Sequence, residues 1–213
     1  MAMTINPKRV QQALDKARQN AERTNGGWTY LEQIGRCLRY LQDLDAAMYF
    51  RQAARQYPLF AESVDSQTVL ANLYRLADEW EHARRHYQHA YDLLMPLDLE
   101  REDNIITLDR LALCAYMLGD DPLTVTAVTR LRPMCRKDEW LTTFTLAALA
   151  EARQSRTVAR AQEMVQTTEA VIRKRRYQLW SEGSMLSPWD TYAEARRVVR
   201  ELGGDPDAPQ EAA

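Results

Sequence analysis

The fold turns on residues 70–90, "LANLYRLADEWEHARRHYQHA". Apolar and small residues recur at Leu70, Ala71 and Tyr74, then at Ala83, Tyr87 and Ala90, at intervals of one, three, nine, four and three. Steps of three and four put side chains on one face of a helix, and the gap of nine contains a break. The stretch therefore predicts two helices, at about 62–77 and 79–94. Asp78 stands where the second helix needs a cap, and Glu81 falls where a capping box places its acid. All three histidines lie here too, His82, His86 and His89, at helical spacing.

The rest of the chain reads the same way. Alanine, leucine, arginine, glutamine and glutamate dominate, and no long segment alternates with period two. Asn6 and Pro7 open a helix with Val10, Leu14 and Ala17 on its apolar stripe, which "TNGG" closes at 24–27. Helices follow at about 28–40, 46–58, 101–118, 121–131, 138–152 and 155–180, and a last one runs from Ser187 and Pro188 to Gly203 and Gly204. Short breaks between helices of about four turns make sequence neighbours antiparallel. The fold class is all-α.

The pattern in 70–90 resembles the tetratricopeptide repeat, a helix-turn-helix unit of about 34 residues in which large and small residues interlock. Ala71 and Ala83 would let the two helices approach closely, while Leu70, Tyr74 and Tyr87 fill the wider gaps. Residues 28–58 look like a preceding copy, through Leu31, Ile34, Gly35 and Leu38, then Ala46, Phe50, Ala53 and Pro58, one residue shorter between its halves. Residues 105–131 look like a following copy, with Thr124, Val128 and Leu131 where alanine, aromatic and alanine are usual. Residues 138–180 are a divergent fourth pair. The expected organisation is an N-terminal helix and turn at 1–27 and a repeat region at 28–131. A divergent pair and C-terminal helix packed on the array follow at 132–204, with a disordered tail at 205–213. An irregular helical bundle, favoured by the acidic insert "PLDLERED" at 96–103, is the competing architecture.

The resemblance implies a function. First helices of such pairs stack into a surface that holds a peptide or another protein. Carried over, that surface is Glu32, Arg36, Arg39 and Tyr40, then Asp65, Val69, Asn72, Arg75 and Leu76, then Asp109, Arg110 and Tyr116. Some members clamp a terminal carboxylate. Asn72 matches the clamp's asparagine, but Glu32, Arg36 and Thr68 depart from its other positions, so a complete clamp is not expected. The surface suits an extended segment with apolar and acidic side chains, as in an adaptor or a bacterial chaperone. An immunity or antitoxin protein that blocks a toxin by direct binding is an alternative, and a second copy of this chain is a further candidate partner.

Other chemistry has less behind it. Histidines spaced four and three apart can present ligands on one face, but Ala83, Tyr87 and Ala90 set the packing edge, and each histidine lies one residue before it. In "HARRH" Ala83 stands where a zinc hydrolase carries its glutamate, and arginines follow it. Metal is not expected, nor is a cofactor, since no glycine-rich phosphate loop or nucleotide fingerprint occurs. Catalytic residues are not assigned.

The basic run Arg173, Lys174, Arg175 and Arg176 forms a secondary patch for an acidic protein. Nucleic acid is disfavoured by the net charge of -2. Charge varies in blocks: residues 1–60 carry nine basic and five acidic side chains, and residues 61–110 five basic and eleven acidic, leaving room for charge-guided protein contacts. Cys37, Cys114 and Cys135 are odd in number and widely spaced, which fits free thiols in a reducing compartment. No apolar run approaches the about 20 residues that cross a bilayer, and the first residues lack a signal peptide's apolar core. The expected location is the cytoplasm.

Overall fold

The computed structural model describes residues 7–135, 140–174 and 186–208. Among them are ten α-helices and no strand: α1 Pro7–Arg23, α2 Trp28–Tyr40, α3 Ala46–Gln56, α4 Val64–Leu76, α5 Trp80–Leu94, α6 Ile105–Leu118, α7 Asp121–Leu131, α8 Leu141–Ser155, α9 Val158–Lys174 and α10 Pro188–Glu201. Within each of the two units given below, helices adjacent in sequence pack on one another, as the short breaks require. The chain divides at Leu93/Leu94, just before the acidic insert, into two compact units.

One turn geometry recurs through the chain. After α2, α4, α6 and α8, a single residue turns left-handed: Gln42, Asp78, Gly119 and Arg156, with φ of 59°, 60°, 87° and 53°. In each case the next amide donates to a carbonyl five residues back. These bonds are Asp43 to Leu38 at 2.9 Å, Glu79 to Tyr74 at 2.9 Å, Asp120 to Ala115 at 2.8 Å and Thr157 to Ala152 at 2.9 Å. This is the Schellman closure, which satisfies carbonyls that a helix end leaves open. Only one of the four positions is glycine, the residue that tolerates this conformation without steric cost. The backbone thus repeats where the residue type does not.

Asp78 corrects one sequence reading. It closes α4 instead of capping α5, which begins at Trp80 with the Glu79 carbonyl taking the Ala83 amide at 3.0 Å. The closure of α4 holds Asp78 left-handed, and its carboxylate lies 3.5 Å from Arg39 Nη2.

The second helix of each pair repeats its own contact set. Ala46, Phe50 and Ala53 on α3, Ala83, Tyr87 and Ala90 on α5, and Thr124, Val128 and Leu131 on α7 are all buried. So are Ala161, Val165 and Thr168 on α9, at the same spacing of four and three. Small partners make room for large ones. A Cβ on Gly35 would lie 3.0 Å from the Phe50 ring, so glycine lets that ring seat against α2.

The first unit packs α1 on α2, α2 on α3 and α3 on α4. Its second pair is joined by Tyr87 donating to Asn72 Oδ1 at 2.6 Å and by stacking of Tyr74 on His82 and His86. The second unit packs α6 with α7, α7 with α8 and α8 with α9, and α10 returns onto α8 and α9. A capping box opens α10: Ser187 Oγ takes the Asp190 amide at 3.2 Å, and the Asp190 carboxylate takes the Ser187 amide at 2.8 Å. Gly204 ends this stretch against Val158, where a Cβ would come within 2.4 Å of Cγ1. Residues 205–208, read from the sequence as the start of a disordered tail, fold back instead. Asp207 pairs with Arg196 through two bonds of 2.8 Å, and the Asp205 carbonyl takes Gln162 Nε2 at 3.2 Å.

Candidate protein-binding surface

In the first unit the predicted surface residues lie on α2 and α4, which Arg39 links. Glu32 and Arg36 are one helical turn apart, and Glu32 Oε1 takes Arg36 Nε at 2.9 Å and Nη2 at 2.8 Å. The acid lies N-terminal to the base, the favoured order along a helix. Arg36 is buried by this arrangement and Glu32 half-buried. Arg39, exposed, reaches the C-terminal end of α4, with Nη1 3.4 Å from the Leu76 carbonyl and Nη2 3.5 Å from Asp78. A cation at that end meets carbonyls without helical partners and the negative pole of the helix. Arg39 therefore ties α2 to α4 while its guanidinium stays accessible.

On α4, Asp65 is exposed, Val69 and Arg75 are half-buried, and Asn72 and Leu76 are buried. Asp65, Val69, Asn72 and Arg75 follow one another at steps of four and three, a single stripe. Thr68 is buried and turns its hydroxyl back to the Val64 carbonyl at 2.7 Å. Tyr40, at the end of α2, is half-buried.

Asn72 is the residue that stands out. Its Oδ1 accepts from the Tyr87 hydroxyl at 2.6 Å and from Arg75 Nε at 3.5 Å. Arg75, which can only donate, favours this amide orientation, since the Tyr87 hydroxyl can donate or accept. The Asn72 Nδ2 is buried and meets no acceptor among the described residues. A buried donor without an acceptor costs about 1–3 kcal/mol. The cost is set by Tyr87, a core residue of the helix pair, which holds the amide in place.

In the second unit the predicted residues are occupied internally. Asp109 and Arg110 are buried, and Asp109 takes hydrogen bonds from Thr143 and Arg110. Tyr116 is buried and donates to Glu194 Oε1 at 2.8 Å, beneath the Arg153 guanidinium at 4.2 Å from its ring centroid. Arg153 in turn binds Asp121, and Glu194 binds Arg197 at 2.7 Å. Burial first, then the Glu194 charge, holds the Tyr116 hydroxyl well above its ordinary pKa, so it stays a donor. Sequence reasoning missed this network, and no local signal could have found it. Glu194 lies 78 residues from Tyr116, and nothing in either segment alone indicates that α10 turns back onto the unit.

His82 and His86 stack on Tyr74, and His89 is exposed. Gln67 donates through Nε2 to the Ala61 carbonyl at 2.9 Å, so its Oε1 faces His86 Nδ1 at 2.8 Å. His86 therefore carries its proton on Nδ1. Burial, then the charges of His82 and His89, lower its pKa below the ordinary 6.5. His82 lies 3.7 Å from Glu79, which is itself bound by Arg51. Among the described residues no three histidine, cysteine, aspartate or glutamate side chains group as metal ligands. Burial pushes the Cys37 thiol up to about 11, against use as a nucleophile. In the basic run Arg173 is bound by Glu169 at 3.1 Å, and the Lys174 side chain, Arg175 and Arg176 lie outside the described residues. Among the described residues no helix is long and apolar enough to cross a membrane.

No family model, no curated protein and no solved structure matches this chain.

Proposed function

We propose that this protein is a non-enzymatic, tetratricopeptide-like binding module that holds an extended segment of another protein against α2 and α4, as an adaptor or chaperone in the cytoplasm. The observation that carries the reading is the buried Nδ2 of Asn72. Nδ2 is covered in this structure, and a peptide carbonyl or carboxylate that reached it as its neighbours moved aside would remove the cost of the unmatched donor. The residues around it suit the rest of such a segment. Arg39 and Arg75 offer charge to acidic side chains, while Val69 and Tyr40 offer apolar contact. Charge would orient the segment, and the desolvated contacts would hold it. The repeated turns and packing sets support the family resemblance, and free thiols at Cys37, Cys114 and Cys135 support a reducing compartment.

The buried residues of the second unit leave the first unit to carry the contact. Arg36 is a poor probe, because a glutamate there would face Glu32 and disturb the fold. The test is capture from native lysate by immobilised wild type and by the Arg39→Glu, Arg75→Glu double variant, with circular dichroism reporting the fold. The wild type should retain a protein that the folded variant loses by tenfold or more. Equal retention by both would remove α2 and α4 from the binding surface.

A further inference from the structure

After α10 the chain is held on the second unit as a bound peptide would be. Gly204 brings it close against Val158 of α9. The Asp205 carbonyl then takes Gln162 Nε2 at 3.2 Å, and the Asp207 carboxylate takes Arg196 Nη1 and Nη2 at 2.8 Å each. Between these contacts the segment folds on itself. The Asp207 amide donates to Asp205 Oδ1 at 2.9 Å, and the Ala208 amide to the Asp205 carbonyl at 3.2 Å. Asp205 and Asp207 are exposed and Pro206 and Ala208 half-buried, so residues 205–208 add no side chain to the core.

The receiving side is built into α10. Arg196 lies one turn beyond Tyr192, whose hydroxyl oxygen takes Nη1 at 3.3 Å and whose ring centroid is 5.7 Å from the guanidinium carbon. Trp189 meets the Tyr192 ring edge-on, with centroids 6.5 Å apart. A fork held in place before its ligand arrives loses less freedom on binding. The Arg196 side chain is 20% exposed and that of Asp207 67%, so the cation belongs to the helix surface and the carboxylate covers it from the solvent side. Hydrogen bonds from Arg196, with the charges of Arg196 and exposed Arg200 behind them, hold the Asp207 carboxyl below its ordinary pKa. An ion pair this open to water adds little to stability. Its geometry is that of recognition: one planar fork meets both oxygens of one carboxylate.

We propose that Arg196, with Tyr192 and Gln162, is a binding site for an aspartate-bearing segment of another protein, and that residues 205–208 close it by occupying it. The class of ligand is read from the occupant. It offers a carboxylate to Arg196 and, two residues earlier, a backbone carbonyl to Gln162. Attachment to α10 gives the resident segment a high effective concentration, so the same segment of a second copy gains nothing over it. A segment of another protein displaces it through contacts beyond the few residues that the resident one supplies.

The probe is a fluorescein-labelled peptide with the sequence of residues 203–213, GGDPDAPQEAA, titrated by fluorescence anisotropy. Asp207→Ala in the full chain removes the resident carboxylate, and circular dichroism reports the fold of each variant. The peptide should bind Asp207→Ala at least tenfold more tightly than the wild type. Adding Arg196→Gln to the protein should abolish the gain, and so should a peptide with asparagine in place of Asp207, which tests the site even where the double variant fails to fold. Equal affinity for the wild type and Asp207→Ala, or binding to neither, would overturn the proposal, as would a gain that the asparagine peptide keeps. Sedimentation equilibrium separates the source of the segment. The wild type and Asp207→Ala should sediment alike; wild-type dimers that Asp207→Ala dissociates would give the site to a second copy and overturn its assignment to another protein.

Discussion

At the level of single residues, the proposed binding surface and the core of the first unit share side chains. Asn72 faces outward in the sequence pattern, yet Tyr87, from the packing set, holds its oxygen. Gln67 and His86 make a similar bond one helical turn away. The burial of His86, with the charges of His82 and His89 beside it, ties stability to pH. Its folded pKa is lowered below the ordinary 6.5, so the unfolded chain binds the proton more readily. The contribution is therefore complete above about pH 6.5 and is lost as pH falls through the lower, folded value. Denaturant unfolding of wild type and His86→Gln from pH 7.5 to 5 should give a steeper loss for the wild type. Parallel profiles would mean that His86 does not couple folding to protons.

Among the elements, the packing set of the second helix is the part most open to a mutational check. Ala83 is fully buried between residues that α4 and α5 bring together. Ala83→Leu should cost roughly 1–3 kcal/mol through overpacking, read as a lower denaturation midpoint with unchanged slope. An unchanged midpoint would mean that the helix phase is wrong. This phase was legible in the sequence because Ala83, Tyr87 and Ala90 fall at steps of four and three, and a buried stripe leaves that trace. The buried stripe of α7 was legible for the same reason: Thr124, Val128 and Leu131 keep the spacing while changing the residue type. The turns were not. Gln42, Asp78 and Arg156 take a left-handed conformation that their residue types do not announce, and only Gly119 carries a signal that sequence can show. The error at Asp78 came from this, since an aspartate before a helix reads as a cap until the closure of the preceding helix claims it.

Across the whole molecule, the chain is two units that use one kind of pair differently. The first keeps Arg39, Tyr40, Val69 and Arg75 at least partly accessible. The second closes over its equivalent positions, with Glu194 of α10 holding Tyr116. Tyr116→Phe should destabilise the second unit by about 1.5–3 kcal/mol, because it strips a buried hydrogen bond to a charged acceptor. Hydrogen exchange should place the loss in α6 and α10, and unchanged protection there would mean that the bond contributes little. Long-range pairing of this kind leaves no periodic trace, which is why three of the twelve residues assigned from sequence, Asp109, Arg110 and Tyr116, turned out to serve the interior of the second unit. The buried Arg36 and Leu76 escaped for a related reason. Periodicity reports which face a residue is on, but not how deeply its neighbours cover it.

The proposed function places another protein along α2 and α4. Site-specific photo-cross-linking in the native cell tests that placement whatever the partner is. A photoreactive phenylalanine analogue replaces Tyr40 in one strain and Gln88, on the exposed side of α5, in another. The expected outcome is a covalent adduct with one other protein from position 40, weakened by Arg75→Glu and absent from position 88. Adducts from position 88 with none from position 40 would contradict it.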